Sequence, residues 1–207
     1  MKDILSKKLV VFASGTGTTF EFLAESVKQG QIDADIVALF SDRPKSGAVE
    51  RAGRFGIRVY IIKQNDIENT VDDMQNHLIA TDPDLIILAG YNRILPDEIV
   101  DFYPLKIINT HPSLLPCFGG RGMYGLNVHR AVIESGAKIT GCTVHFVTRN
   151  VDGGPIIDQS TVEVRYDDTP EILQERVKRE EKSVLLRAVN DILSKNIHVN
   201  GKRVSFS

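Results

Sequence analysis

Short apolar runs alternate with amphipathic segments along most of the chain, and this alternation limits the possible folds more than any other feature. Residues 8–13, 35–40, 57–62, 84–89 and 106–110 are too short for helices. Their VVF, IVAL, VYII, LIIL and II cores suit strands buried on both faces. Between them, Phe20, Leu23, Ala24 and Val27 fall on one helical face that ends at Gly30. Ala48, Val49, Ala52 and Phe55 repeat the pattern before Gly56, and Met74, Leu78 and Ile79 mark a third helix stopping near Asp82-Pro83. Strand–helix–strand repetition predicts an α/β fold with a doubly wound, mostly parallel sheet of Rossmann type.

After residue 138 the pattern changes. Residues 139–147 and 156–164 read as strands flanking a VDGGP turn, so the C-terminal part of the sheet is expected to be mixed. Residues 169–195 read as one long helix, entered through the cap and first-turn signal Asp168-Thr169-Pro170. Asn200-Gly201 between β-like pieces marks a terminal hairpin. No repeat, low-complexity tract or linker interrupts the 207 residues, so the sequence predicts one domain over 1–207.

Composition removes some classes of function. A formal charge of −2 gives no general attraction to nucleic acid or to an acidic membrane surface. The apolar stretch near the N-terminus is too short for a signal peptide or a membrane span, and no long apolar run follows, so a cytoplasmic protein is expected. Cys117 and Cys142 stand in neither a CxxC motif nor a His/Cys cluster and read as unpaired thiols.

Three segments carry chemistry. The first strand runs into Ser14-Gly15-Thr16-Gly17-Thr18-Thr19 and then a helix, a layout that points backbone N–H groups at an anion. Phe20 stands at the third glycine position of the dinucleotide fingerprint, and no Gly-Lys-Ser/Thr follows, so a phosphomonoester pocket is the functional reading. The alternative is a tight turn capped by Thr18 or Thr19. At the end of the fifth strand, Asn109 and His111 project to one side, at the edge where open sheets bind ligands. The amide can stabilise an oxyanion and the imidazole can move protons. Asp152, in the VDGGP turn, supplies a carboxylate that would raise the His111 pKa; alternatively it is a turn residue bonding its own backbone. His145 either lines the same cleft or packs in the core. The spacing of His111, His145 and Asp152 gives no support for a metal.

Six motifs, VFASGTGT, LAGYNRIL, INTHPSLLP, GCTVHFV, VDGGPII and ERVKREEK, occur in this order over residues 8–188. Together they resemble the glycinamide ribonucleotide formyltransferase family, the folate-dependent enzymes of purine synthesis. The resemblance implies formyl transfer from 10-formyltetrahydrofolate to the amine of 5-phosphoribosylglycinamide, with no metal. It implies Asn109, His111 and Asp152 as the catalytic trio, with Asp152 keeping the His111 pKa high. It places the substrate phosphate on Gly17, Thr18 and Thr19, and the acceptor amine near Glu181. It lines the pterin pocket with Asn92, Arg93, Ile94, Leu95 and Asn109.

By residue alone, Arg93 would be a surface charge, Ile94 and Leu95 core, and Glu181 a solvated helix charge. Three departures from the family pattern stand out. The loop reads Gly-Thr-Thr where Gly-Ser-Asn is common, residues 64–70 hold no arginine, and Arg149-Asn150 replaces a more acidic pair. The rivals within folate chemistry are a deformylase, which usually carries an N-terminal regulatory domain, and a formyltransferase for another amine such as a sugar. A non-catalytic nucleotide-binding module would use the glycine loop alone. The three glycines in residues 117–124 suggest a mobile loop.

Overall fold

The structure, a computed structural model, describes residues 6–62 and 67–207, without the side chains of 67–69. It forms two compact units, Met1–Ile108 and Asn109–Ser207.

In the first unit, β1 (Lys7–Phe12), β2 (Ala34–Ser41), β3 (Val59–Ile61) and β4 (Leu85–Leu88) lie in the order β3-β2-β1-β4, with every pair parallel. The apolar runs place them: residues 9–12 and 85–88 are buried throughout, as strands covered on both faces require. Burying each such side chain stabilises the unit by about 1.5–3 kcal/mol. Helix α1 (Thr18–Lys28) buries Phe20, Leu23 and Ala24, and α2 (Gly47–Arg54) buries Ala48 and Ala52. Helix α3 (Ile67–Thr81) buries Met74 and Leu78, but Ile79 is exposed. At 100° per residue, one step past Leu78 swings off the apolar face, which corrects the expectation for Ile79. A short helix, α4 (Asp97–Phe102), was not foreseen; its single turn buries only Ile99 and Val100.

The strand ends carry the loops that matter. The Phe12 ring stacks on Phe40 at 4.7 Å and meets the edge of Tyr91 at 5.2 Å. These contacts fix the turn after β4 against β1. The Ser14 N–H donates to Gly90 O (3.1 Å), and the Asn92 N–H donates to Ser14 Oγ (2.9 Å).

The second unit holds the rest of β5 (Ile107–His111), then α5 (Leu126–Glu134), β6 (Ile139–Phe146), β7 (Ile156–Glu163), α6 (Pro170–Ser194), β8 (Ile197–Asn200) and β9 (Arg203–Phe206). Its strands run β5-β6-β7-β9-β8. Strands β6 and β7 are antiparallel, as are β8 and β9, which turn at Gly201 (φ +60°). The mixed C-terminal sheet and the terminal hairpin match the sequence reading. Helix α6 starts where expected: the Thr169 hydroxyl accepts from the Ile172 N–H, and Pro170 fills the first turn. Asp168, held by Arg176 at 2.6 and 2.8 Å, also accepts from the Arg165 N–H. Leu173, Val177, Val184, Leu185, Ala188 and Val189 form the buried stripe of α6. Helix α5, also unforeseen, buries Val128, His129 and Val132.

Candidate active site

The glycine loop of the first unit works through its backbone. Gly17 takes φ +78°, and a Cβ there would lie 2.4 Å from Ala48 Cα, so only glycine fits. Gly17 is also the N-cap of α1 and provides no side-chain cap. Thr18 and Thr19 open the helix without capping it, which overturns the capped-turn alternative and leaves the first N–H groups without a side-chain acceptor. Beside the loop lies a cavity of about 720 Å³, lined among others by Ser14, Gly15, Thr16, Asp42, Lys45 and Arg51. Arg51 Nε donates to Thr16 O (2.9 Å), and Arg51 is also paired with Glu21. The loop is thereby tied to α2.

In the segment after β4, Arg93 pairs with Asp42 at 3.2 Å while staying half exposed. Leu95 is buried, as a core residue should be, but Ile94 is 63 % exposed. Residues 64–66, part of the arginine-free segment, lie outside the described residues.

The second unit builds a buried polar cluster from three separate stretches of chain. Asn109 and His111 come from the end of β5, His145 from the end of β6, and Asp152 from the turn that follows. His111 Nδ1 lies 3.4 Å from Asp152 Oδ2, and His145 Nε2 lies 3.6 Å from Asp152 Oδ1. Asn109 Nδ2 is 3.3 Å from His145 Nε2. His145 Nδ1 lies 2.9 Å from the Phe146 carbonyl, which accepts its N–H. His111 Nε2 donates to Phe118 O at 2.8 Å. Both nitrogens of His111 therefore face acceptors.

The turn is shaped to deliver the carboxylate. Asp152 sits at φ +53°, and a Cβ on Gly154 would come within 1.8 Å of Phe146 O. Asp152 Oδ2 accepts from the Gly120 N–H (2.9 Å) and not from its own turn, against the alternative reading of a self-bonded turn residue. Burial pushes the Asp152 carboxyl up, but His145, His111 and the Gly120 amide together hold it below the ordinary carboxylate value.

One expectation fails here. Burial lowers the His111 pKa by more than Asp152 and the Phe118 carbonyl raise it, with His145 opposing them too, so the imidazole lies below its ordinary value. The sequence indicated the carboxylate but not the depth at which the pair is buried.

The sequence matches the formyl transferase family over residues 7–189, through both units. The chain belongs to the formyl transferase family. It is 39% identical to the chloroplastic phosphoribosylglycinamide formyltransferase of Arabidopsis thaliana over 92% of this chain and 67% of that protein. It is 35% identical to the phosphoribosylglycinamide formyltransferase of Bacillus subtilis over 92% of this chain and 96% of that one. Among solved structures, glycinamide ribonucleotide transformylase 1 from Symbiobacterium toebii superposes with a TM-score of 0.90 at 33% identity, covering 97% of this chain and 94% of that one. A formyltetrahydrofolate deformylase from Pseudomonas syringae gives 0.89 at 26% identity, covering 98% and 66%. The formyltransferase thus has the doubly wound α/β architecture of its relatives, with antiparallel strands toward the C-terminus.

Three groups in this formyltransferase were underweighted from sequence. His145 is buried and bonded into the cluster, though from sequence its position on a strand slightly favoured packing in the core. Glu181 is not a solvated helix charge: burial pushes its carboxyl up to about 7, with Lys178 opposing. His129 on α5 is 1% exposed, its Nδ1 has no partner, and burial, Lys178 and His111 push it down to about 4. A histidine inside an otherwise amphipathic helix was the only signal for it. Both cysteines are free. Among the described residues, no three His, Cys, Asp or Glu side chains are grouped to hold a metal, and no helix is long and apolar enough to cross a membrane.

Proposed function

We propose that the chain carries the formyl group of 10-formyltetrahydrofolate to the amine of 5-phosphoribosylglycinamide, with Asn109, His111 and Asp152 as the catalytic residues. That it is a folate-dependent formyltransferase of purine biosynthesis follows from the family match and the relatives. A folate-derived co-substrate and small-molecule substrates come with that assignment.

The observation that carries the residue assignment is the buried His111, flanked by Asp152 at 3.4 Å and by the Phe118 carbonyl at 2.8 Å. The acceptor amine attacks the formyl carbon, forming a C–N bond and a tetrahedral oxyanion. The Asn109 amide donates to that oxygen, and the imidazolium that forms as His111 takes up the amine proton stabilises its charge. Collapse breaks the bond to the folate N10, and the proton lost by the amine is balanced by one given to N10 through His111. Asp152 only partly offsets the burial that holds the His111 pKa below its ordinary value, so the ring is charged only while it carries the amine's proton. Glu181, with its carboxyl near 7, suits proton exchange with an amine at neutral pH.

The backbone N–H groups of Gly17, Thr18 and Thr19 take the phosphate, a role that tolerates the Thr-Thr replacement because it uses no side-chain amide. Asn92, Arg93, Ile94 and Leu95 contact the pterin. Residues 1–207 act as one formyltransferase domain without metal or nucleic acid, and the cytoplasm is the proposed location.

The test is folate-product absorbance with purified protein and 10-formyltetrahydrofolate, with and without the ribonucleotide. Turnover should require the ribonucleotide and vanish in His111→Ala. Turnover without it would assign the hydrolase reaction, and turnover only with a sugar amine would move the acceptor.

A further inference from the structure

Behind His111 lies a second hydrogen-bonded group that the proposed chemistry does not use. Thr143 on β6 and Gln159 on β7 are register partners across the antiparallel pair. The fully buried Thr143 donates from Oγ1 to Ser113 O (2.7 Å), and the same oxygen accepts from the Leu115 N–H (3.0 Å) and from Gln159 Nε2 (2.9 Å). One donor and two acceptor sites are the full capacity of a hydroxyl, so none remains for a substrate. Gln159 Nε2 also donates to Leu115 O (3.0 Å). The pair therefore grips both polar groups of Leu115 and the carbonyl of Ser113.

The grip extends to His111. Ser113 is fully buried, and its hydroxyl donates to Cys117 O at 2.6 Å and lies 3.5 Å from Phe118 O. Phe118 sits at φ +53°, a backbone region that bulky residues occupy only when their surroundings hold them there. Its carbonyl is the acceptor for His111 Nε2. A neutral imidazole has a single N–H, and two acceptors compete for it. A carboxylate is the stronger of the two, so Asp152 tends to draw the hydrogen to Nδ1. The Phe118 carbonyl, at the shorter distance of 2.8 Å, competes by favouring Nε2–H.

We propose that Thr143 and Gln159 are positioning residues that act through the 113–118 turn to set the tautomer and orientation of His111. This rests on the reading of His111 as the group that moves the proton. Loss of the grip should let the carbonyl drift, move the neutral ring toward the Nδ1–H tautomer, and lower kcat with little change in acceptor KM.

The experiment combines ring-nitrogen NMR of the neutral His111 with steady-state kinetics in Gln159→Leu, Thr143→Val and Thr143→Ser. Gln159→Leu and Thr143→Val should shift the His111 nitrogens toward Nδ1–H and lower kcat about 10-fold or more, with KM within about twofold. Thr143→Ser, which keeps the hydroxyl, should restore both. If Thr143→Val does not fold, Gln159→Leu decides, because it leaves the buried hydroxyl bonded to Ser113 and Leu115. Wild-type kcat or an unchanged ring-nitrogen pattern in folded Gln159→Leu overturns the proposal. If the wild-type protein transfers no formyl group, the functional reading fails by itself, and the ring nitrogens alone decide the positioning claim.

Discussion

The two units equip their candidate sites in opposite ways. In the first, Gly15 to Thr19 presents bare backbone at a helix start, with no side-chain cap and one glycine that nothing larger can replace. In the second, Asn109, His111, His145 and Asp152 converge as side chains, all partly or fully buried and each bonded to another member of the cluster or to nearby backbone. A backbone site depends on conformation and tolerates changed side chains, whereas a side-chain cluster depends on identity and burial. Substitutions should therefore separate the units: side-chain losses in the second should reduce kcat, and conformational losses in the first should raise KM.

The largest effect is expected from His111→Ala, with kcat for formyl transfer falling roughly 10²- to 10⁴-fold. Acceptor KM should stay within about threefold; a tenfold rise with unchanged kcat would reverse the comparison between the units.

Next comes the acid response of the second unit. His129 has its pKa depressed from 6.5 to about 4 by burial, so below 6.5 the unfolded chain binds the proton first. The folded protein therefore loses stability as pH falls from 6.5 toward 4, by on the order of 3 kcal/mol from this group. Glu181, raised from 4.5 to about 7, has the opposite sign: its contribution is complete below 4.5 and is lost as pH rises through 7. Because the two oppose each other in the wild-type protein, variants are needed. Denaturant titrations of Glu181→Gln should show a steeper loss toward acid, and those of His129→Asn a shallower one. Equal slopes in both would remove these groups from the account.

In the first unit, Gly17→Ala should cost about 1–3 kcal/mol by overpacking against Ala48. It should also raise acceptor KM roughly tenfold at nearly unchanged kcat, read by thermal melting and steady-state kinetics. The smallest effects belong to Thr18→Ala and Thr19→Ala, whose N–H groups survive the change. Each should alter KM less than about threefold, near the ±0.5 kcal/mol typical of surface substitutions. A large loss in either would mean that the side chain, and not the backbone, holds the phosphate.

These contrasts also show what could be read from the sequence. The first five strands fell within a residue or two of their observed bounds, because residues 9–12 and 85–88 form unbroken apolar runs that suit only doubly covered strands. The α6 start was equally plain, since Thr169-Pro170 encodes both cap and first turn. Helices α4 and α5 escaped because one turn and nine residues give little periodicity to detect. Asn109, His111 and Asp152 stood out as polar residues beside apolar runs and glycines. The sign of the His111 shift did not, because it depends on how completely three distant stretches of chain exclude water around one ring. Glu181 illustrates the same gap: it stands among several charges on its helix, and only packing shows which carboxyl is half-buried and pushed up.

The central claim is that the buried carboxylate of Asp152 serves the chemical step through His111. The most direct test is the single-turnover rate of formyl transfer in Asp152→Asn, which keeps an acceptor for the Gly120 N–H and removes the charge. The account expects the rate to fall about 100-fold or more with both substrates still bound at wild-type affinity. A rate within about threefold of wild type, with the variant folded and saturated, would contradict it.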